Sequence, residues 1–292
     1  YEMQRSLVGS EMCIRDRGEG DFLALGHHKL RFSLIPMVHW PETMVTYDET
    51  EGILFSGDAF GCFGALNGGV IDANINTDIY WDEMVRYYSN IVGKYGAPVQ
   101  KALQKLQTLK INAICSTHGP VWTEEIPRVV RIYDRLSRYE AEEGVVIAYG
   151  TMYGNTAEMA EAIAEELSKQ GIRNIVMHNV SHTNHSYIIA DVFKYRGLIV
   201  GCPTYNTQMY PEMEALLNKL SAREIKGRYM GWFGSFTWAS AAVKKITEFN
   251  DKLKFEPVGN PIEMKHSMKS ETYVQCKELA KAMADRLKAD RK

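Results

Sequence analysis

Two groups of residues in this sequence have the types and spacing to do chemistry. The first is a histidine–aspartate–histidine set, each member just past a predicted strand end and beside small or rigid neighbours. His39 lies in Met37-Val38-His39-Trp40-Pro41, Asp58 in Ser56-Gly57-Asp58-Ala59-Phe60-Gly61, and His118 in Ser116-Thr117-His118-Gly119-Pro120. Imidazole nitrogens and a carboxylate suit iron or zinc, and a lone carboxylate between two metals can bridge them. Taken singly, each also reads as a solvated loop histidine or a turn aspartate. The second group is a polar loop, Thr151-Met152-Tyr153-Gly154-Asn155-Thr156, which follows the apolar run Val145–Tyr149. After it Met159, Ala160, Ile163, Ala164 and Leu167 recur at helical spacing, with Asn155 and Glu158 offering a capping box and Gly171 a stop. Strand, tight loop and helix together present backbone N–H groups to a phosphate at a helix N-terminus.

The composition of that loop narrows the ligand. It has neither the Gly-Lys-Ser/Thr ending of a triphosphate loop nor the G-x-G-x-x-G of a dinucleotide fold. Hydroxyls of Thr151 and Thr156 and the amide of Asn155 stand where cations would be, which suits one terminal phosphate held by neutral donors. In this it resembles the flavodoxin loop for FMN; the alternative is an ordinary βα turn whose Thr and Asn cap the helix. Two later strands, Gly197–Cys202 and Tyr229–Phe233, run into Pro203-Thr204-Tyr205-Asn206 and Gly234-Ser235-Phe236-Thr237-Trp238-Ala239. In a doubly wound sheet such loops converge beyond the carboxyl ends of the strands. Tyr153, Tyr205 and Trp238 there suit stacking on a planar ring, with Gly234 letting backbone approach its edge. FMN is the expected ligand.

These loops must be positioned by two domains. From Gly18 the pattern predicts short strands at Phe22–Leu25, Leu30–Pro36, Met44–Asp48 and Gly52–Ser56, with a hairpin around Asp48–Gly52. Helices are predicted over Asp82–Tyr95, Pro98–Thr108 and Pro127–Glu143, with a strand near Asn112–Cys115. The second domain is expected to run from Gly144 to Lys292. Beyond Val145–Tyr149 its strands are expected at Ile175–Asn179, Gly197–Cys202, Tyr229–Phe233 and Lys254–Val258, and its closing helix over Thr272–Lys288. The expected fold class is α/β, with a doubly wound parallel sheet in the second domain. His27, His28, His178, His182, His185 and His266 lack a metal-site context and are expected to be surface or locally hydrogen-bonded residues.

Composition sets outer limits. A hydrophobic content of 45%, a charged content of 24% and a net charge of −2 describe a globular chain whose main partner is neither nucleic acid nor a membrane surface. Cys13, Cys62, Cys115, Cys202 and Cys276 are widely separated and odd in number, as expected of free thiols in a reducing cytoplasm. With no C-x-x-C pair, no zinc ribbon or iron–sulfur knuckle is expected. The string Ser6–Arg17 resembles a translated sequencing-adapter read, so Tyr1–Arg17 is set aside as non-native and the gene model is expected to be truncated upstream.

The order of these motifs identifies a resemblance. His-Trp-Pro, then Ser-Gly-Asp-Ala-Phe-Gly, then His-Gly-Pro, followed by a flavodoxin-like loop, is similar to the flavodiiron proteins (A-type flavoproteins). The gaps of 18 residues between His39 and Asp58 and 59 between Asp58 and His118 match, as do Arg86-Tyr87-Tyr88 and Asn90-Ile91-Val92. The resemblance implies a metallo-β-lactamase-like αββα domain, here partial over residues 18–143, followed by a flavodoxin-like domain. It implies two non-haem irons, with His39 and His118 as terminal ligands to one iron each and Asp58 as the bridge. It further implies reduction of O₂ to water or NO to N₂O, a rubredoxin-like or flavin reductase electron donor, and a head-to-tail homodimer. The family's other four ligands come from a His-x-Glu-x-Asp-His motif that this sequence lacks, so the chain as given is expected to bind FMN but little iron. Rival readings are a flavodoxin-like electron carrier fused to an inert domain, a metal-dependent hydrolase, and a non-enzymatic binding module. Convergence of His39, Asp58 and His118 on one pocket separates the first rival from the oxidoreductase.

Overall fold

The structure is a computed structural model that describes residues 17–291. The adapter-like reading of Tyr1–Arg17 therefore lies outside the described residues except for Arg17 itself. Strands β1 (Phe22–Leu25), β2 (His28–Leu34), β3 (Met44–Asp48), β4 (Ile53–Gly57) and β5 (Ala113–Ser116) form one sheet in that order. The first four pair antiparallel, and β5 joins β4 in parallel. It follows that β2, β4 and β5 all point the same way, with their carboxyl ends at one end of the sheet.

Alternation along the strands decides what the sheet buries. Val45, Tyr47, Leu54 and Ile114 share a buried face. Helices α1 (Asp78–Tyr87), α2 (Gly96–Leu106) and α3 (Ile126–Ser137) bring Trp81, Met84, Val99, Leu106 and Val129 to the same core. The opposite face, with half-buried Leu34 and Met44 and an exposed Phe55, is open among the described residues. A sheet with helices packed on one face agrees with the lactamase-like architecture that the sequence implies. Helix α1 begins earlier than its sequence pattern predicts and ends in a π-helical turn, Tyr88–Val92. Helix α3 stops at Ser137 rather than Glu143, because Tyr139 turns the chain with φ +57 and the next strand begins at Glu142.

A buried carboxylate starts α3. Asp72 accepts hydrogen bonds from the backbone N–H groups of Thr123, Glu124 and Glu125 and from the Thr123 hydroxyl. Glu125 is the N-cap of α3 and Thr123 and Glu124 lie just before it, so the carboxylate fixes the turn that leads into the helix. The residue thereby ties the turn at Asp72–Asn74 to the helix.

The second domain continues with β6 (Glu142–Tyr149), α4 (Asn155–Lys169), β7 (Ile175–Asn179), α5 (His185–Lys194), β8 (Tyr195–Tyr205), β9 (Gln208–Met209) and α6 (Pro211–Ser221). It closes with β10 (Tyr229–Phe236), α7 (Ala242–Leu253), β11 (Glu256–Pro257), β12 (Ile262–Lys265) and α8 (Ser270–Ala289). Its sheet has the order β7-β6-β8-β10-β11, with β12 also on β10, and these pairs are parallel. This is a doubly wound α/β sheet whose order reverses between β6 and β8. Strand β6 is central and buried on both faces: Val145 and Ile147 join one core cluster, Val146 and Ala148 the other. A continuous apolar run is what such a strand requires.

One hydrophobic cluster runs through both domains. Tyr88 packs edge-on against Tyr133 at 5.1 Å and against Phe193 of α5 at 6.3 Å. Beside it the fully buried Arg228 donates to the carbonyls of Val192, Phe193, Tyr139 and Lys226 at 2.7–2.9 Å. Val192 and Phe193 end α5, where the helix dipole favours a cation. Burial, and then the nearby Arg196, push its pKa down to about 9, so it is still charged at neutral pH.

Replacing Asp72 by Asn should cost about 1–2 kcal/mol, because three backbone donors and a hydroxyl lose their charged acceptor. Burial alone would raise the Asp72 pKa, but Thr123 and the three amides outweigh it and hold it below the ordinary 3.8. The stabilisation is therefore complete above that value and lost as the pH falls through the lowered native value. Urea unfolding of both proteins should show a gap at pH 7 that closes in acid; an equal gap at pH 2 would refute this.

Candidate functional site

The metal-type residues are brought together by strand direction. His39, Asp58 and His118 follow the carboxyl ends of β2, β4 and β5, the three strands that run the same way. His39 Nε2 lies 3.1 Å from Asp58 Oδ2, and His118 Nε2 lies 3.5 Å from Asp58 Oδ1. Each imidazole thus takes a different oxygen of one carboxylate. The side chains are 22%, 29% and 55% exposed for His39, Asp58 and His118, so the group opens to solvent. Two imidazoles flanking a shared carboxylate fit a pair of metal ions with that carboxylate between them.

Residues that the sequence reading gave no role at the site hold this arrangement. The Thr117 hydroxyl donates to Asp58 Oδ1 at 2.5 Å. Three aromatic donors fix the loop after β4: Tyr87 Oη to the carbonyl of Asp58, Trp122 Nε1 to that of Phe60, and Tyr133 Oη to that of Gly61. Burial, reinforced by the Asp58 charge, raises the Tyr87 pKa, so its phenol stays protonated and able to donate. Gly119 has φ +87, and a Cβ there would meet Cys62 Sγ at 2.4 Å. Only glycine lets His118 turn in beside that thiol. Burial, then Glu83, push the Cys62 thiol up to about 12, so it packs as a small neutral group and not as a thiolate ligand. Thr117 was findable as the neighbour of His118 and Tyr87 lies in the Arg86-Tyr87-Tyr88 motif, though without a role; Trp122 and Tyr133 come from the segment after β5 and from α3, and no spacing announces them.

The second site lies at the carboxyl ends of β6, β8 and β10. The capping box does not form. Gly154 is the N-cap, in the left-handed region at φ +90, and Asn155 is the first helical residue, with no side chain capping α4. The Thr151 hydroxyl instead accepts from the Gly154 N–H at 3.1 Å. The helix thus begins with unclaimed N–H groups behind an open loop, which fits a phosphate. Thr156 is buried and its hydroxyl lies 2.8 Å from that of Ser235, joining the first turn of α4 to β10, which runs past the predicted end at Phe233 to Phe236 and so takes in Gly234, Ser235 and Phe236. Asn155 and Gly154 are half-buried beside it. Pro203, Thr204 and Tyr205 belong to β8 itself, which extends past the predicted end at Cys202 to pair with β9. Thr204 Oγ1 accepts from the N–H groups of Ala241 and Ala242 at the start of α7, so that hydroxyl is already engaged. Asn206 follows in a turn at φ +47. Gly234 is buried, Phe236 and Ala239 are half-buried and Thr237 is exposed. Met152, Tyr153, Tyr205 and Trp238 are exposed, the last 83%, leaving apolar faces at the loop tips.

The remaining histidines do not join either group. His178 pairs with Asp191 at 2.7 Å and His185 contacts Lys219. His27 and His28 flank the start of β2, a seven-residue strand of about 20 Å from the His39 end. They cannot complete the His39–Asp58–His118 set.

Comparison with known proteins agrees with both halves. Residues 6–119 match the ODP family beta lactamase, and residues 147–280 match flavodoxin. An uncharacterized protein of Methanocaldococcus jannaschii is 33% identical over 267 residues, covering 91% of this chain and 67% of that protein. The nitric oxide reductase of Moorella thermoacetica is 29% identical over 92% of this chain and 67% of that protein. The anaerobic nitric oxide reductase flavorubredoxin of Escherichia coli is 31% identical over 78% of this chain. The chain spans about two thirds of the length of the first two and about half (48%) of the third. Rubredoxin oxygen:oxidoreductase of Desulfovibrio gigas superposes with a TM-score of 0.93 at 26% identity, over 99% of this chain and 73% of that one. The flavodiiron protein of Giardia intestinalis gives 0.92 at 26% identity, over 99% and 71%. A lactamase-like sheet and a flavodoxin-like sheet in one chain, in this order and with this likeness throughout, place the chain in the flavodiiron protein family.

Proposed function

We propose that the chain is part of an FMN- and diiron-dependent oxidoreductase that reduces O₂ to water, NO to N₂O, or both. The observation that carries the reading is one carboxylate, Asp58, facing His39 and His118 through different oxygens, in the same chain as an uncapped helix start at a doubly wound switch point. The relatives named nitric oxide reductase and rubredoxin oxygen:oxidoreductase support the substrate class. In this reading residues 18–143 form the metal domain and 144–292 the flavin domain.

His39 and His118 would each give a neutral Nε2 to one iron, and Asp58 would span the two. When bound, the irons would supply the redox chemistry for the gas and the flavin would supply electrons one at a time. The chain's own residues do the positioning. The Thr117 hydroxyl orients Asp58, the Tyr87 phenol fixes its backbone, and Gly119 sets the approach of His118. In the flavin domain the first N–H groups of α4 and the hydroxyls of Thr151 and Thr156 would hold the phosphate. Tyr153, Tyr205 and Trp238 would flank the ring, with Pro203, Asn206 and Gly234–Ala239 along its edge. Electrons would come from a separate rubredoxin-like protein or flavin reductase, and a head-to-tail homodimer would set one subunit's flavin against the other's irons. Cys62, Cys115, Cys202 and Cys276 are free, which suits a reducing cytoplasm. Among the described residues no helix is long and apolar enough to cross a membrane. Convergence of His39, Asp58 and His118 counts against a plain electron carrier.

Two outcomes test this. Titration of the apoprotein with FMN should quench flavin fluorescence at one equivalent. Thr151→Ala with Thr156→Ala should weaken binding about tenfold or more, at about 1 kcal/mol per neutral hydrogen bond. A protein that takes up no FMN would overturn the flavin half. In the full-length gene product, Asp58→Asn should strip iron while leaving FMN in place. Stopped-flow reoxidation of its reduced flavin, with O₂ and NO in parallel, should slow at least about a hundredfold. Unchanged rates would overturn the metal half.

A further inference from the structure

We propose that His27, His28 and Glu51 form a second metal site, for a borderline divalent cation such as Zn²⁺, that clips two hairpin turns at the end of the sheet opposite Asp58. One ligand atom from each of the three residues lies within 4.8 Å of the others. Tetrahedral zinc ligands at about 2.1 Å stand about 3.4 Å apart, so closure needs a side-chain swing of little more than an ångström. His27 and Glu51 are exposed and free to make it.

The shell behind these ligands is already built. His28 Nδ1 lies 2.7 Å from Asp48 Oδ2, and Asp48 is buried. With Nδ1–H donating to that carboxylate, Nε2 carries the lone pair, as in the carboxylate–histidine–metal arrangement. Asp48 is itself fixed by the Thr50 N–H at 2.9 Å. The turns are pinned together: the Thr50 hydroxyl donates to the His27 carbonyl, the Lys29 N–H donates back to that hydroxyl, and the Glu49 N–H reaches the Lys29 carbonyl. The nearby cations Lys29 and Arg31 are both taken by Glu49. Among the described residues Glu51 has no ion pair, so its carboxylate is open to a cation.

Such a site has mechanical use. Strand β1 has four residues, with Phe22 and Leu25 largely exposed, and is the sheet's edge. A metal joining the β1–β2 turn to the β3–β4 turn would hold that edge to the two inner strands. Two imidazoles and one carboxylate leave a fourth position for water, as in an open zinc site.

The test uses the whole chain, stripped with chelator and carrying His118→Ala so that the other donor set is broken. Equilibrium dialysis against ZnCl₂ should give one ion per chain with a dissociation constant on the order of a micromolar. His27→Ala and Glu51→Gln, both at exposed positions, should each weaken it about tenfold or more. Co²⁺ should give a tetrahedral visible band that the double variant, His27→Ala with Glu51→Gln, lacks, and zinc should raise the melting temperature only where the ligands are intact. No binding at ten times the expected constant, or binding and a cobalt band unchanged in the double variant, would overturn the proposal. None of these readouts depends on oxygen or NO reduction, so the site stands or falls apart from the proposed function.

Discussion

The candidate metal centre depends on how the loop after β4 is held. A carboxylate between two imidazoles is useful only if its backbone does not drift, and this loop has no regular secondary structure to stop it. Tyr87, Trp122 and Tyr133 supply the constraint by donating to three of the loop's carbonyls, at Asp58, Phe60 and Gly61. A buried phenol or indole needs an acceptor as much as the loop needs donors, so each bond removes two unsatisfied groups at once. These donors arrive from α1, α3 and the segment after β5. The position of Asp58 therefore reports on the packing of the whole helical layer.

The same layer is the contact between the domains. Tyr133 holds Gly61 and also packs edge-on against Tyr88, which packs against Phe193 of the second domain. Arg228 closes the joint on carbonyls alone, those of Tyr139, Val192, Phe193, Lys226 and Gly227, an arrangement suited to a guanidinium with its several fixed donors. On the outer side Arg86 lies over Phe63 at 4.6 Å and Tyr187 at 4.4 Å and reaches the Ser186 hydroxyl. A shared apolar core with a buried, hydrogen-bonded cation beside it resists sliding, because any shift strands donors in a dry place. The two domains are thus fixed against one another through the residues that steady the metal loop.

Sequence was most informative where one residue type had one physical reason to be present. The run Val145–Tyr149 suits a strand buried on both faces, and His39, Asp58 and His118 stood beside strand ends that local patterning located. It was least informative where pairing across the chain decided the outcome. Helices α5, α6 and α7 had no individual prediction. In α5 the stretch Tyr187-Ile188-Ile189-Ala190 is nearly continuous in apolar residues, so it lacks the alternating faces that mark a helix. The fifth strand was expected as one piece over Lys254–Val258. Only Glu256–Pro257 of that stretch is a strand, β11; a further strand without a prediction, β12 (Ile262–Lys265), follows the break at Gly259, φ +68, and Pro261. The Asn155–Glu158 capping box failed for a local reason: Gly154 in the left-handed region takes the cap position and moves Asn155 into the helix.

The two histidine groups make the same point at the level of chemistry. Both sit at ends of one sheet, and an antiparallel meander sends alternate connections to opposite ends. The β2–β3 connection carries His39 to the end where β4 and β5 also finish, and the β1–β2 and β3–β4 turns go to the other. His39, Asp58 and His118 could be linked before the fold was known, because each has a marked local setting of Trp-Pro, Gly-Asp or Gly-Pro. His27, His28 and Glu51 have no such setting. What joins them is the register of β2 on β3, which places Leu30 opposite Asp48 and so brings His28 to the Asp48 carboxylate. Register is a property of pairing, set by which face of each strand is buried, and not of any short stretch of sequence. A cluster made by register is therefore invisible until the strands are laid side by side, however ordinary its residues look along the chain.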